Sequence, residues 1–402
     1  MKRLYAALLA LVALAGCAAS SGLEAAAPTP LQREITGLVE QMARLHPDVD
    51  HEVPLADLRA EAASLAERAP RISRDELLVG LLRLTTLGER DGHGGIFLHD
   101  PAHARPFHFF PLRVHDFADG VHVVADAAGG AHVGKRVTAI DGMPVAQVVE
   151  AVKPLIPRDN ASTIRLLLPE YLTCAEVLRG LGIVKGAATY SFADGTEATL
   201  EAATGALGTA LAPLPMPPRT LLYRSLDQPF LLVPLERGRS LYLGYRQVVH
   251  PPQGVLDRIL RTARKPGFRR LVIDARYNGG GDNTTYWPLL DLINARPLRG
   301  KVVVLMGRMT FSAAGNFVAA VDHRTKARLV GEPSGGAPNQ WGDRNPIELP
   351  TAGLTAYVAA VYVEVVPGDR RPAVRPDVLV EPSAADFLAG RDPVLRRALA
   401  LR

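Results

Sequence analysis

The stretch KVVVLMGRMTFSAAGNFVAAVDH, residues 301–323, decides how this chain folds. Its first part, KVVVLMG, is a continuous apolar run, as expected of a strand covered on both faces in a parallel-type sheet. Its second part puts Ala314, Phe317, Val318 and Val321 on one helical face. Ser312 falls in the turn between them. A serine there reads in two ways. It is an N-cap for the helix, or it is a nucleophile presented at a strand-to-helix edge, where α/β folds place ligands. Free first-turn N–H groups beside it favour negative charge in either case.

The alternation continues on both sides. SLYLGYRQV (240–248), RRLVIDAR (269–276) and ARLVGEP (327–333) read as strands, and 254–265 and most of 284–295 read as helices. Strand and helix alternate across 221–402, which indicates an α/β core. Upstream, apolar residues recur at helical spacing: Leu31, Ile35, Leu38, Met42 and Leu45, then Leu55, Leu58 and Leu65. A third helix opens at Ser73, where Ser73 and Glu76 form a capping-box pattern. We therefore assign 31–105 as an N-terminal helical module. Residues 106–206 change to short strands with Asp-Gly turns at Asp141-Gly142 and Asp194-Gly195, as in a small α+β domain. The Pro-rich segment 207–220 reads as a linker.

The chain has 402 residues, 48% hydrophobic and 22% charged, which is globular. A formal net charge of +5, with no basic cluster interleaved with aromatics, argues against nucleic-acid binding. Residues 1–16 have a basic start and an apolar run too short to span a bilayer, the pattern of an export signal. The end of that run, Leu14-Ala15-Gly16-Cys17, resembles the lipobox of bacterial lipoproteins. The resemblance implies lipidation of Cys17, a tether over 17–30 and a cell-envelope location. With Ala18 next, it implies the outer membrane facing the periplasm. Cys174, in the apolar EYLTCAEVL, reads as a small buried residue.

Three further stretches carry chemistry. DARYNGGGDN (274–283) follows a strand, and its glycines permit close backbone approach with N–H groups free to hold an oxyanion. It lacks GxxxxGK[ST], so a phosphate loop is not indicated. DGHGGIF (91–97) puts His93 in an open loop, suited to the general base that a serine nucleophile needs. LVGEPSGGAPNQWGD (329–343) reads as a wall against substrate, with Gly335, Gly336 and Asn339 as contacts. His93, His99, His103 and His108 cluster in sequence, but Pro101 and Pro106 interrupt them and neither HExxH nor CxxC is present. We expect no metal and no cofactor.

In order and spacing, MGRMTFSAAGNF, DARYNGGG, LVGEPSGG, VRPDVLVEPS and GRDPVLRRAL together resemble the tail-specific, or C-terminal-processing, serine peptidases and their tricorn-core relatives. The segment GKRVTAIDGMPVAQVVEAV (134–152) resembles part of a PDZ domain. The resemblance implies a ClpP/crotonase-like ββα core with a PDZ-like insert, and a peptide or protein substrate. It implies Ser312 as nucleophile and an oxyanion hole from Ala313 N–H with Gly279 or Gly280. The lysine that activates the serine in most of the family would fall at Ala337, and no lysine occurs from 327 to 402. The tricorn-like branch uses a histidine instead, which matches His93. The serine that precedes it in that branch is Gly92 here. The acid of that branch aligns nearest to Asp369, with Asp343 and Asp377 as alternatives. An alternative function is a non-catalytic peptide-binding lipoprotein on the same fold.

Overall fold

A computed structural model describes residues 27–88, 91–205, 207, 212, 214–215 and 220–401. The export signal over 1–16, Cys17 and most of the tether lie outside the described residues, as does much of the 207–220 linker.

The centre of the molecule is a six-stranded sheet whose strands lie side by side in chain order: Phe230–Leu235, Ser240–Tyr245, Arg270–Asp274, Val302–Met306, Arg328–Gly331 and Val378–Leu379. The first pairs antiparallel with the second, and the remaining pairings are parallel. Register explains why the runs are apolar without alternation. Leu243, Ile273, Val304 and Leu329 are successive partners on one face. They pack under helices Gln253–Ala263, Trp287–Asn294 and Ala313–Arg324. The alternate residues Tyr242, Val272, Val303 and Val330 meet helix Pro393–Ala400 through Val394 and Ala398. Both faces exclude water, so polar side chains in RLVID and VVVLM are confined to the strand ends, at Arg270 and Asp274. The α/β core expected from sequence is present.

The N-terminal helices run Pro30–Leu45, Leu55–Arg68 and Arg74–Thr85. Ser73 and Glu76 make the reciprocal capping box expected of them, and Thr29 with Gln32 make a second one that sequence reading passed over. The insert holds a hairpin of Leu112–Phe117 with Gly120–Asp126 and a four-stranded sheet. Segment 161–180 is more helical than its short-strand surroundings predicted, with helices Ala161–Tyr171 and Ala175–Gly180. Asn160 nucleates the first by accepting from the N–H groups of Ser162 and Thr163. The change of pattern at 105/106 does not separate two cores. One apolar cluster runs from Ile35 and Leu38 through Leu81 to Ile140, Val148 and Leu178. It also takes in Ile347, Ala356 and Val358 of the hairpin Asn345–Leu349/Leu354–Val358. That shared core clamps the loop carrying His93, because Gly95 and Tyr357 exchange both backbone hydrogen bonds at 2.9 Å.

Candidate active site

Ser312 sits between strand Val302–Met306 and helix Ala313–Arg324 at φ 51°, ψ −132°. This is a strained conformation for a residue with a Cβ, costing on the order of 1–3 kcal/mol, so its surroundings must enforce it. They do so through the backbone. The Ser312 carbonyl accepts from Asn316 N–H and from Gln340 Nε2, each at 3.0 Å. Gln340 Nε2 also reaches Asn316 Oδ1, and Asn316 Nδ2 reaches Asn283 Oδ1. The Ser312 side chain makes no capping hydrogen bond. The first turn is closed instead by Phe311, whose carbonyl accepts from Ala314 and Gly315. Of the two readings of this serine, the cap is thus not realised, and Oγ is left for other work.

The glycine run packs against it. Gly280 has φ 121°, and a Cβ there would lie 2.7 Å from Ser312 Cβ and 3.1 Å from both Oγ and Ala313 N. Only glycine lets the loop come this close. Gly281, at φ 143°, passes against the Val248 carbonyl, with which any Cβ would collide. Asn278, fully buried, anchors the turn by donating to Tyr245 O and accepting from Gly280 N–H at 3.0 Å. The Gly280 N–H is therefore spent inside the loop. Gly279 lines the open cleft next to Ser312. Of the two glycines expected as oxyanion donors, Gly280 has its N–H paired and supplies close approach, while Gly279 lines the cleft.

His93 and Ser312 line one cleft of about 830 Å³ with Gly92, Gly279, Met309, Phe311 and Asp343. The His93 ring stacks on Phe311, the residue before Ser312, with centroids 4.6 Å apart and planes 25° apart. The loop beneath is fixed by two carboxylates. Asp91 Oδ1 accepts from the N–H groups of His93 and Gly94, and Asp159 Oδ1 accepts from Gly92 N–H at 2.7 Å. A side chain at position 92 would press against Asp159 and the Phe311 ring, each 3.0 Å from a built Cβ, which explains glycine there. Burial lowers the pKa of His93 below that of an ordinary histidine. The charges of Asp91 and Asp343 oppose the shift, Arg344 adds to it, and the Trp341 main chain favours the protonated ring. The imidazole is thus held neutral, the form a general base requires. Its Nδ1 is buried without a hydrogen-bond partner among the described residues.

The acids divide by environment. Asp369 is not brought to His93. Its carboxylate accepts from Arg371, which also reaches Asp322, and it is absent from the cleft lining. A guanidinium two residues away in its own turn satisfies it before the imidazole can. Asp377 accepts from Leu329 N–H and is structural. Asp343, at φ 48°, lines the cleft directly after strand Asn339–Gly342, and its charge acts on His93. Arg344 beside it lies over the Tyr357 ring, 4.3 Å from the centroid.

The GEPSGG loop supports the site without contacting the cleft. Gly335 and Gly336 N–H groups donate to Thr310 O, and Gly335 O accepts from Thr163 Oγ1 and Asn160 Nδ2. Asn339 spends its amide on Val365, Val366 and Asp369 main chain. These three expected substrate contacts are internal ties, because every polar group they could offer is already paired. Ala337 is buried, and no lysine among the described residues lines the cleft. The other histidines have separate partners: His99, which also lines the cleft, faces Glu170, His103 binds Phe97 O and Thr355 N–H, and His108 binds Glu176.

Sequence reading passed over Phe311, Asn278 and Gln340. Asn278 stood beside a recognised glycine run. Gln340 and Asp343 stood in a stretch already singled out as polar. Phe311 carried no signal beyond its place before the serine.

No family model matches the sequence, and no curated protein matches it. Among solved structures, mature CPAF aligns over 90% of this chain and 95% of its own, at 13% identity and a TM-score of 0.57. A serine-to-alanine mutant of CPAF aligns over the same shares at 13% identity and 0.59. The photosystem II D1 C-terminal processing protease aligns over 88% and 94%, at 14% identity and 0.39. The chain is similar to CPAF in fold along nearly its whole length.

Proposed function

We propose that this chain is a serine peptidase working by acyl transfer. Ser312 Oγ attacks a peptide carbonyl, and His93 takes its proton and later returns it to the leaving amine. Ala313 and Gly279 N–H groups hold the oxyanion. Asp343, in place of the Asp369 expected from sequence, supplies the negative charge beside the imidazole. The observation that carries this reading is Ser312 itself: a strained, uncapped serine with its Oγ free, pressed against Gly280 in a cleft shared with a neutral histidine. The likeness in fold to CPAF, solved also as a serine-to-alanine mutant, supports it. The order of DGHGG, the glycine run and the serine, together with Ala337, favours the tricorn-like branch over a serine–lysine dyad. The substrate is a peptide or protein tail, and the Leu14–Cys17 motif supports lipid anchoring in the cell envelope.

The test is activity-based labelling. Purified protein treated with a fluorophosphonate probe is expected to be modified at Ser312, and Ser312→Ala to remain unlabelled. Equal labelling of the two proteins rejects Ser312 as nucleophile. Absence of labelling in both favours the non-catalytic peptide-binding alternative. Anchoring is checked separately, as incorporation of labelled fatty acid that is lost in Cys17→Ala.

A further inference from the structure

His46 caps the end of helix Pro30–Leu45, far in sequence from the cleft residues described above, yet it meets both Asp91 and Trp341. It is 6% exposed. Its Nδ1 accepts the Asp48 N–H at 3.0 Å, so the ring proton resides on Nε2. Nε2 faces Asp91 Oδ2 at 3.5 Å. That distance is long for a hydrogen bond but close enough for the N–H dipole to act on the carboxylate. The other oxygen of Asp91 holds the His93 and Gly94 N–H groups. On its flat side, the His46 ring meets Trp341 at 4.6 Å, and His51 stacks parallel at 5.3 Å. Trp341 belongs to the strand that ends just before Asp343.

We infer that His46 is a positioning residue for the general base: through Asp91 it sets the His93 loop, and through Trp341 it sets the strand delivering Asp343. The inference rests on the reading of His93 as base. One buried ring thereby fixes the spacing between imidazole and carboxylate from two sides. The mechanism needs no proton on Nδ1 of His46 at any stage. The groups facing His93 itself are Asp91, Asp343 and Arg344.

The experiment measures the rate of fluorophosphonate labelling against pH for the full chain, for His46→Ala and for His46→Gln. Peptide KM and melting temperature are recorded alongside. His46→Ala is expected to slow labelling about tenfold to a hundredfold, the scale of a misplacement near 1 Å, with KM unchanged. His46→Gln keeps an N–H donor at similar reach and is expected to recover most of the rate. A purely structural role would lower the melting temperature of both variants and leave the labelling rate and its acid limb in place, which overturns the inference. Should His46→Ala not fold, nitrogen-15 NMR of the unmodified protein decides. An Nε2–H tautomer for His46 is expected, and an Nδ1–H tautomer rejects the arrangement. If the unmodified protein labels at Ser312 while the His46 variants match it, the inference fails and the peptidase reading stands. If the unmodified protein does not label, both fall.

Discussion

The imidazole of His93 stacks on the ring of Phe311, one residue before Ser312, with centroids 4.6 Å apart. The loop from the N-terminal module and the turn of the sheet core are thus joined by an aromatic contact one residue from Ser312. Stacking of this kind is worth about 0.5–1.5 kcal/mol beyond the area it buries. Phe311→Ala should therefore cost modest stability but slow fluorophosphonate labelling by about tenfold or more, because His93 loses the surface that orients it. Phe311→Tyr, which keeps the ring, should stay within a few-fold of the unmodified rate.

Gly280→Ala tests the close approach. The new methyl would meet Ser312 Cβ at 2.7 Å and force alanine into φ 121°. Strain of about 1–3 kcal/mol is expected, read as a lower urea midpoint, together with near-complete loss of labelling. A Gly280→Ala protein that labels normally would mean the loop stands farther from Ser312 than described.

The two candidate acids separate cleanly. Asp369→Asn disturbs a pair in which Asp369 is 12% exposed but its partner Arg371 is 44% exposed and open to solvent screening, and should change stability by about 1 kcal/mol and labelling not at all. Asp343→Asn should slow labelling by about tenfold to a thousandfold, the range expected when a base loses its charge partner. The reverse pattern would restore Asp369 as the orienting acid.

The pH dependence has a definite sign. His93 must be neutral to act, and burial lowers its pKa below the ordinary value of about 6.5. Labelling should rise with pH through a midpoint below that value, and Asp343→Asn should move the midpoint lower still by removing an opposing charge. The same shift affects folding. The unfolded chain binds a proton at His93 more readily, so its contribution to stability is present above about pH 6.5 and is lost as pH falls through the lower folded pKa. Denaturation curves between pH 5 and pH 7 check both statements, and a midpoint above 6.5 contradicts them.

A buried ion cluster holds the start of the glycine loop. Fully buried Asp274, at the end of strand Arg270–Asp274, shares Arg276 with Asp392, with the closest contacts at 2.7 Å. Arg276→Ala leaves two carboxylates without their cation and should destabilise by about 3–5 kcal/mol in urea titration. Replacing all three by apolar residues of similar volume should recover much of that loss.

Local pattern sufficed for most elements, the helices within 161–180 excepted. The unbroken apolar runs RLVID and VVVLM, the Ser73–Glu76 box and the glycine run each specify backbone behaviour through short-range sterics and hydrogen bonding, so they were legible one residue at a time. Ser312, His93 and the oxyanion loop were legible as candidates for the same reason, and the missing lysine at Ala337 was visible directly.

What the chain order could not specify was which polar groups remain unpaired after packing. Asp369 looked available until Arg371 folded onto it, and Gly335, Gly336 and Asn339 looked open until Thr310, Thr163 and the 365–369 turn used their hydrogen-bonding groups. Asp343 and His46 gained their places only when strand Asn339–Gly342 and the first helix met around Trp341. Apart from the Asp369–Arg371 pair, those outcomes depend on contacts between segments tens to hundreds of residues apart. Sequence alone determined the strand-to-helix turn that presents Ser312. The tertiary structure decided which histidine and which carboxylate line the cleft with it, because burial and partner choice are properties of the packed whole.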